Sequence, residues 1–214
     1  MNDRLSRPCS RGVSARWRKI EAVRFDTVLA ATDTPNLLAE VAALRRPARR
    51  LARGVTMMRG GSAQARQFQL VVDERDESWT CDRQGDRHRD QYAAGVLHSI
   101  DGPVEVGFAR SGTVAPPVRL LTPELLPMWG SPASFVPVLV QRIRGHWLLV
   151  TCEHERNPAD RVTVVVDEGD GIAHRWYGTS EVTVLTEVRM MDDDEPAPLR
   201  PRFSRLSEWP ALEY

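Results

Sequence analysis

The sequence predicts an α+β fold in a single domain, with an early helix, a large antiparallel sheet and a short helix inserted mid-chain. Three observations carry that expectation. Helical spacing of apolar residues is sustained only between Thr34 and Pro47. From Leu51 onward, short runs of alternating apolar and polar residues are separated by turn sequences. Those runs follow one another directly as strand–turn–strand, the pattern of an antiparallel meander, and this removes parallel α/β folds with their alternating helices. No period of repeat length is visible, and 214 residues suit one large domain.

The helix is signalled by Thr32-Asp33-Thr34-Pro35. Asp33 or Thr34 serves as the N-cap, and proline at the first helical position gives up an N–H that has no partner anyway. Leu37, Leu38, Val41 and Leu44 share one face, and Pro47 marks the stop. Strands are then expected over 51–59 and 67–73, joined by Gly60-Gly61-Ser62, and over 77–82. The polar run 82–90 reads as an exposed loop or hairpin tip, followed by weaker strands over 96–100 and 104–108. Thr122 to Leu126 reads as a short capped helix ending near Gly130. Strands over 135–141, 147–153, 161–167, 172–177 and 181–190 complete the sheet, with Asp170-Gly171 as a hairpin turn. Residues 1–31 form a basic arm expected to be poorly ordered, 32–190 the domain, and 191–214 an acidic, proline-rich tail. Asp192 to Glu195 in that tail reads as a solvated charge run, with Trp209 placed to dock back.

Composition excludes several functions. Hydrophobic residues make up 42% and charged residues 27% of the chain, which belongs to a folded protein rather than a disordered one. The 29 basic and 29 acidic residues cancel, so no net field draws the chain to nucleic acid or an anionic membrane. No stretch approaches the roughly 18 apolar residues of a membrane-spanning helix. Residues 1–24 carry six arginines and Lys19 but no apolar core of about 7–15 residues, so no secretory signal is expected and the cytoplasm is the default location. Cys9, Cys81 and Cys152 are odd in number and scattered, consistent with a reducing compartment. Lys19 is the sole lysine, and the arginine, alanine and valine bias resembles a chain from a high-GC genome such as an actinobacterium.

No motif supplies catalysis. There is no phosphate-binding G-x-x-x-x-G-K-[ST], no G-x-S-x-G and no C-x-x-C or H-E-x-x-H. Cys152 and His154 share a strand face, but an inward strand cysteine reads as a small core residue. No catalytic residue, metal or cofactor is therefore expected. An enzyme becomes the reading only if Cys152, His154 and a second histidine converge in space. The arginines at 45, 46, 49, 50 and 53 form a stripe without interleaved aromatics and read as the basic end of a helix.

What remains is apolar. Val138 and Val140, with Val136; Leu148 and Val150; Val162, Val164 and Val166; and Val182, Val184 and Val188 are read as same-face sets on successive strands. The visible helices are too short to cover such a face. Either the sheet curls into a half-barrel round a packed core, or it encloses a cavity for an apolar ligand. These ten residues, Val136 apart, are the candidate cavity lining.

The order of elements, with the segments 141–151 (QRIRGHWLLVT), 164–175 (VVVDEGDGIAHR) and 182–188 (VTVLTEV), resembles the LolA-like lipoprotein-carrier family, in particular actinobacterial relatives of unassigned role. The resemblance spans residues 33–190. It implies a curved antiparallel half-barrel closed by helices, holding an acyl chain or lipoprotein segment, or serving a sensing and docking role. None of the carriers' lid-locking residues has a match here, so no site residue is carried over. The expected function is a non-enzymatic binding protein whose curved sheet holds an apolar, lipid-like ligand or a partner segment. The alternative is a protein–protein interaction or regulatory module gripping another chain at the sheet edge or at the arginine-rich helix end.

Overall fold

The computed structural model describes residues 27–30, 32–59, 65–107, 115–130, 135–143 and 145–203. In chain order the elements are β1 (Thr27–Val28), α1 (Thr34–Leu44), β2 (Arg49–Met58), β3 (Ala65–Asp73), β4 (Ser78–Arg83), β5 (Asp90–Ala93), β6 (Val96–Ser99) and β7 (Gly102–Glu105). They continue with α2 (Pro116–Leu121), a 3-10 turn (Pro123–Leu125), β8 (Phe135–Ile143), β9 (Trp147–His154), β10 (Asn157–Asp167), β11 (Ala173–Tyr177) and β12 (Glu181–Met190). All twelve strands form one sheet in the order β1-β8-β9-β10-β11-β12-β2-β3-β4-β5-β6-β7, and every pairing is antiparallel. Two meanders, β8–β12 and β2–β7, are joined side by side where β12 pairs with β2. Among the described residues the sheet ends at β1 and β7 and does not close.

Curvature follows from the core. Seven strand spacings separate β8 from β4, roughly 34 Å along a flat sheet at about 4.8 Å each. Yet Val140 of β8 and Cys81 of β4 belong to one contiguous buried cluster, centred on Leu38 and Val41 of α1 and Val118, Leu120 and Leu121 of α2. Helices of 11 and 6 residues reach both ends only if the sheet wraps around them. The predicted class, a curved antiparallel half-barrel with two helices against it, is the fold observed.

Local differences from the expectation have physical causes. Within 122–126 a 3-10 turn (Pro123–Leu125) replaces the expected capped helix, because Pro123 forces Thr122 into extended geometry (φ −120°, ψ 101°). The mid-chain helix lies just before it, with Pro116 and Pro117 in its first turn, where two missing N–H groups cost nothing. Strand β5 begins at the last residue of the polar run 82–90, where no strand is expected; Tyr92 is its one buried residue. Thr27–Val28, within the predicted arm, pairs with β8. The Gly60-Gly61-Ser62 turn, Phe108 and Trp209 lie outside the described residues.

The register of β12 corrects two site residues. Trp176 lies opposite Thr183, and Thr183 opposite Thr56, so Glu181, Thr183 and Leu185 turn inward. Val182 and Val184 therefore lie on the outer face, since neighbouring strand residues point to opposite sides. A bulge between Leu185 and Glu187 then returns Val188 to the inner face, opposite Ala52. The buried polar pair is satisfied locally: the Thr183 hydroxyl donates to Glu181 Oε1 (3.0 Å) and shares a hydrogen bond with Thr56 (2.9 Å). Arg119 of α2 reaches Glu181 Oε2 at 3.2 Å and lies over the Trp176 ring.

One ionic cluster ties the helices to the sheet. Arg45, the residue capping α1, donates its Nε–H to Glu74 Oε1 (2.9 Å) and further N–H groups to the Gly171 and Leu121 carbonyls. Arg50 of β2 pairs with the other oxygen, Glu74 Oε2, and donates to Arg46 O (2.8 Å). The Ala48 N–H donates to Glu74 Oε2 as well (3.1 Å). Only 5% of each arginine side chain and 11% of Glu74 is exposed. Burial lowers both guanidinium pKa values to about 10, with Arg45 adding a like-charge push on Arg50. Gly171 completes the junction: its φ is +70°, and a Cβ there would lie 2.8 Å from Val41 O, so the β10–β11 turn approaches α1 this closely only with glycine.

Two stability predictions follow from this packing. Val164 has no exposed surface, so Val164→Asp buries an unpaired charge and should cost about 3 kcal/mol or more. Val164→Trp, which an open cavity would accept, should also lower the melting temperature through overpacking. Thermal melts of both check this, and a normal melting temperature for either contradicts a packed inner face. Glu74→Gln leaves two buried arginines sharing no carboxylate and should cost about 3–5 kcal/mol in urea unfolding. Glu187→Gln, at an exposed pair with Arg53, should cost about 1 kcal/mol or less.

Candidate functional site

Six of the ten candidate residues belong to the core. Val140, Leu148, Val150, Val162, Val164 and Val166 are buried against the helices, and Val188 packs at the same cluster's margin. Val182 and Val184 lie half-buried on the outer face. Val138 is the exception on β8. A bulge between Pro137 and Leu139 turns it out of the core, leaving it 49% exposed, with Val136 beside it at 41%.

Val138 and Val140 line a half-open groove of about 400 Å³ where β8 meets α1. Its floor is Val140 and Leu38, both buried. One wall is the exposed side of α1, Pro35 and Ala39; the other is Pro137 with Val138, and Met128 with Trp129 closes an end. Trp129 is fixed there because its indole Nε1–H donates to Leu38 O at 2.9 Å, holding the ring against the helix. Thr34 is the one polar side chain in the lining, and its hydroxyl is occupied, donating to Ala30 O at 3.1 Å. What this groove can do is remove apolar surface from water, at about 25 cal/mol per Å² buried. It holds no titratable side chain among the described residues.

The flank of the groove is a sheet edge. The outer neighbour of β8 is β1, paired only at Thr27–Arg142 and Val28–Gln141, with Leu29 N–H donating to Val140 O at 2.8 Å. Among the described residues, no strand pairs with Phe135–Leu139 on that side.

The sequence singled out Val138 and Val140 but not Leu29, Met128, Trp129 or Pro137, which complete the groove. The available signal was Trp129 itself, a large apolar side chain in a proline-flanked turn where no core strand was expected.

The sulfur and imidazole candidates do not form a reactive set. Cys152 is buried in the core, and burial pushes its thiol up to about 12; Cys81 is raised to about 12 for the same reason. His154 Nδ1 accepts the Arg156 N–H at 3.2 Å, and its ring meets Phe135 edge-on. Among the described residues, no three His, Cys, Asp or Glu side chains gather as metal ligands. Nor is any helix among them long and apolar enough to cross a membrane.

No family model matches the chain, and no curated protein sequence does. In structure, the chain is distantly similar to several solved proteins. MucB in complex with MucA(peri) aligns at 13% identity and TM-score 0.40 over 76% of this chain. The Pseudomonas aeruginosa MucA/MucB complex aligns at 12% identity and TM-score 0.43 over 77% of this chain. The present chain spans 56% and 59% of the length of those two matches. A LolA superfamily protein from Nitrosomonas europaea aligns at 10% identity and TM-score 0.33, covering 73% of this chain and 93% of its own.

Proposed function

We propose that the protein is a non-enzymatic binding protein that takes the apolar side chains of an extended partner segment into the groove between α1 and β8. The observation that carries this reading is the placement of that groove beside the Phe135–Leu139 edge of β8. An extended segment laid along that edge can hydrogen-bond to exposed backbone groups while alternate side chains enter the groove. Pro137 limits the edge to a partial ladder, because it offers no N–H, and this leaves side-chain burial as the main source of affinity. The packed inner face supports a groove-bound guest rather than one enclosed by the sheet.

Anilinonaphthalene sulfonate serves as the probe. The wild-type protein should enhance its fluorescence through one site, and Val138→Asp should weaken binding at least tenfold without changing the melting temperature, because Val138 is half exposed. Peptides with alternating apolar residues should displace the dye. Unchanged dye binding in Val138→Asp contradicts the groove as the site. Displacement by fatty acids but by no peptide contradicts a segment as the guest.

A further inference from the structure

The face of β2–β5 turned away from the helices is covered by the chain's own C-terminal segment. Met191 N–H donates to Arg49 O at 2.9 Å, and from there the chain leaves β12 and crosses β2, β3 and β4 without regular secondary structure. Met191 packs with Leu51 and Val71 as its apolar anchor. Beyond it the contacts are polar. Arg49 Nη1 donates to Glu195 O (2.6 Å), Gln69 Nε2 to Leu199 O (3.3 Å) and Arg89 Nη2 to Pro198 O (3.4 Å). Asp193 is held by Arg75 (2.5 and 3.3 Å), and Glu195 by Arg189 (2.5 and 2.9 Å). Arg200 points the other way, donating to the Arg87 carbonyl (2.7 Å) beside the buried Asp82.

Two properties of this contact set specify what the face recognises. Beyond Met191, the Arg49, Gln69 and Arg89 side chains donate to guest carbonyls and demand no guest N–H, so proline is accepted, as Pro196 and Pro198 show. Arg75 and Arg189 meet carboxylates, so the guest is acidic. The hold is also weak at each point. Asp193 is 72% exposed, and exposed ion pairs contribute little individually and less in salt. Alongside the segment an open groove of about 680 Å³ runs past Thr80, Gln91 and His98, with Asp193 and Ala197 on its near wall.

We infer that this outer face is a docking channel for an extended, acidic, proline-tolerant segment of another protein, and that residues 191–203 are its resident occupant, displaced when the partner binds. The partner competes for the same arginines and carbonyl donors.

Full-length chain carrying Asp193→Arg and Glu195→Arg, both at solvent-accessible positions, tests this with a fluorescent peptide of residues 191–203. Anisotropy at low salt should show the peptide binding this variant at least tenfold more tightly than wild type, with affinity falling as salt rises. A peptide with Asp193 and Glu195 reversed to arginine should not bind it. Arg75→Glu provides an independent check at another accessible position, since it should reject the native peptide and accept one in which Asp193 alone is reversed to arginine. Equal binding of both peptides, or no binding to either folded variant, overturns the inference.

Discussion

Two arginines that are almost fully withdrawn from water share one carboxylate, and the placement of both helices rests on that arrangement. Arg45 ends α1, Arg50 lies on β2, and Glu74 follows β3. Through Arg45 the cluster also grips the ends of α2 and the β10–β11 turn. A buried ion pair is weak as a source of net stability but expensive to break, because the charge left behind has no solvent. Its effect here is to fix geometry. The helices can sit only where Arg45 reaches the Leu121 and Gly171 carbonyls, which carries α1 across the concave face of the sheet. With its C-terminal end fixed, the exposed flank of α1 runs beside β8 and forms the apolar groove.

The same constraint gives the two faces of the sheet different work. On the inner face, two short helices suffice because the sheet curls around them, and Val140, Val150, Val162, Val164 and Val166 are used up as core. The buried carboxylate there meets a partner from another element, as Glu181 meets Arg119. The outer face is populated by arginines and carboxylates. Its β2–β5 half carries the C-terminal segment, while Val182 and Val184 lie on the β11–β12 side. The binding surfaces thus fall at the margin and the back of the half-barrel.

Much of this was legible in the sequence. The stripe Leu38–Val41 located α1, and the valine alternation with the Asp170-Gly171 turn located β10 and β11, because these signals are local. The register of β12 was not legible. Val182-Thr183-Val184-Leu185 fits either face, and Thr183 and Glu181 turn inward only because Thr56 and Arg119, far along the chain, complete their hydrogen bonds. The acidic tail failed for the same reason. Asp192–Glu195 reads as a solvated run until Arg75, 118 residues from Asp193, is brought beside it by β3 and β4. In the candidate site, Val140 was readable from alternation. The exposure of Val138 depends on a bulge that the neighbouring strand imposes, and Trp129 is placed by a single hydrogen bond to Leu38 O.

Backbone amide chemical-shift mapping during titration with an apolar probe reports most directly where a guest sits. Shifts confined to Leu29, Leu38, Ala39, Met128, Trp129 and Val138, with the core strands unmoved, are the expected result for a packed half-barrel that binds at its margin. Shifts centred on Val150, Val164 and Leu120 would contradict it, placing the guest between sheet and helices.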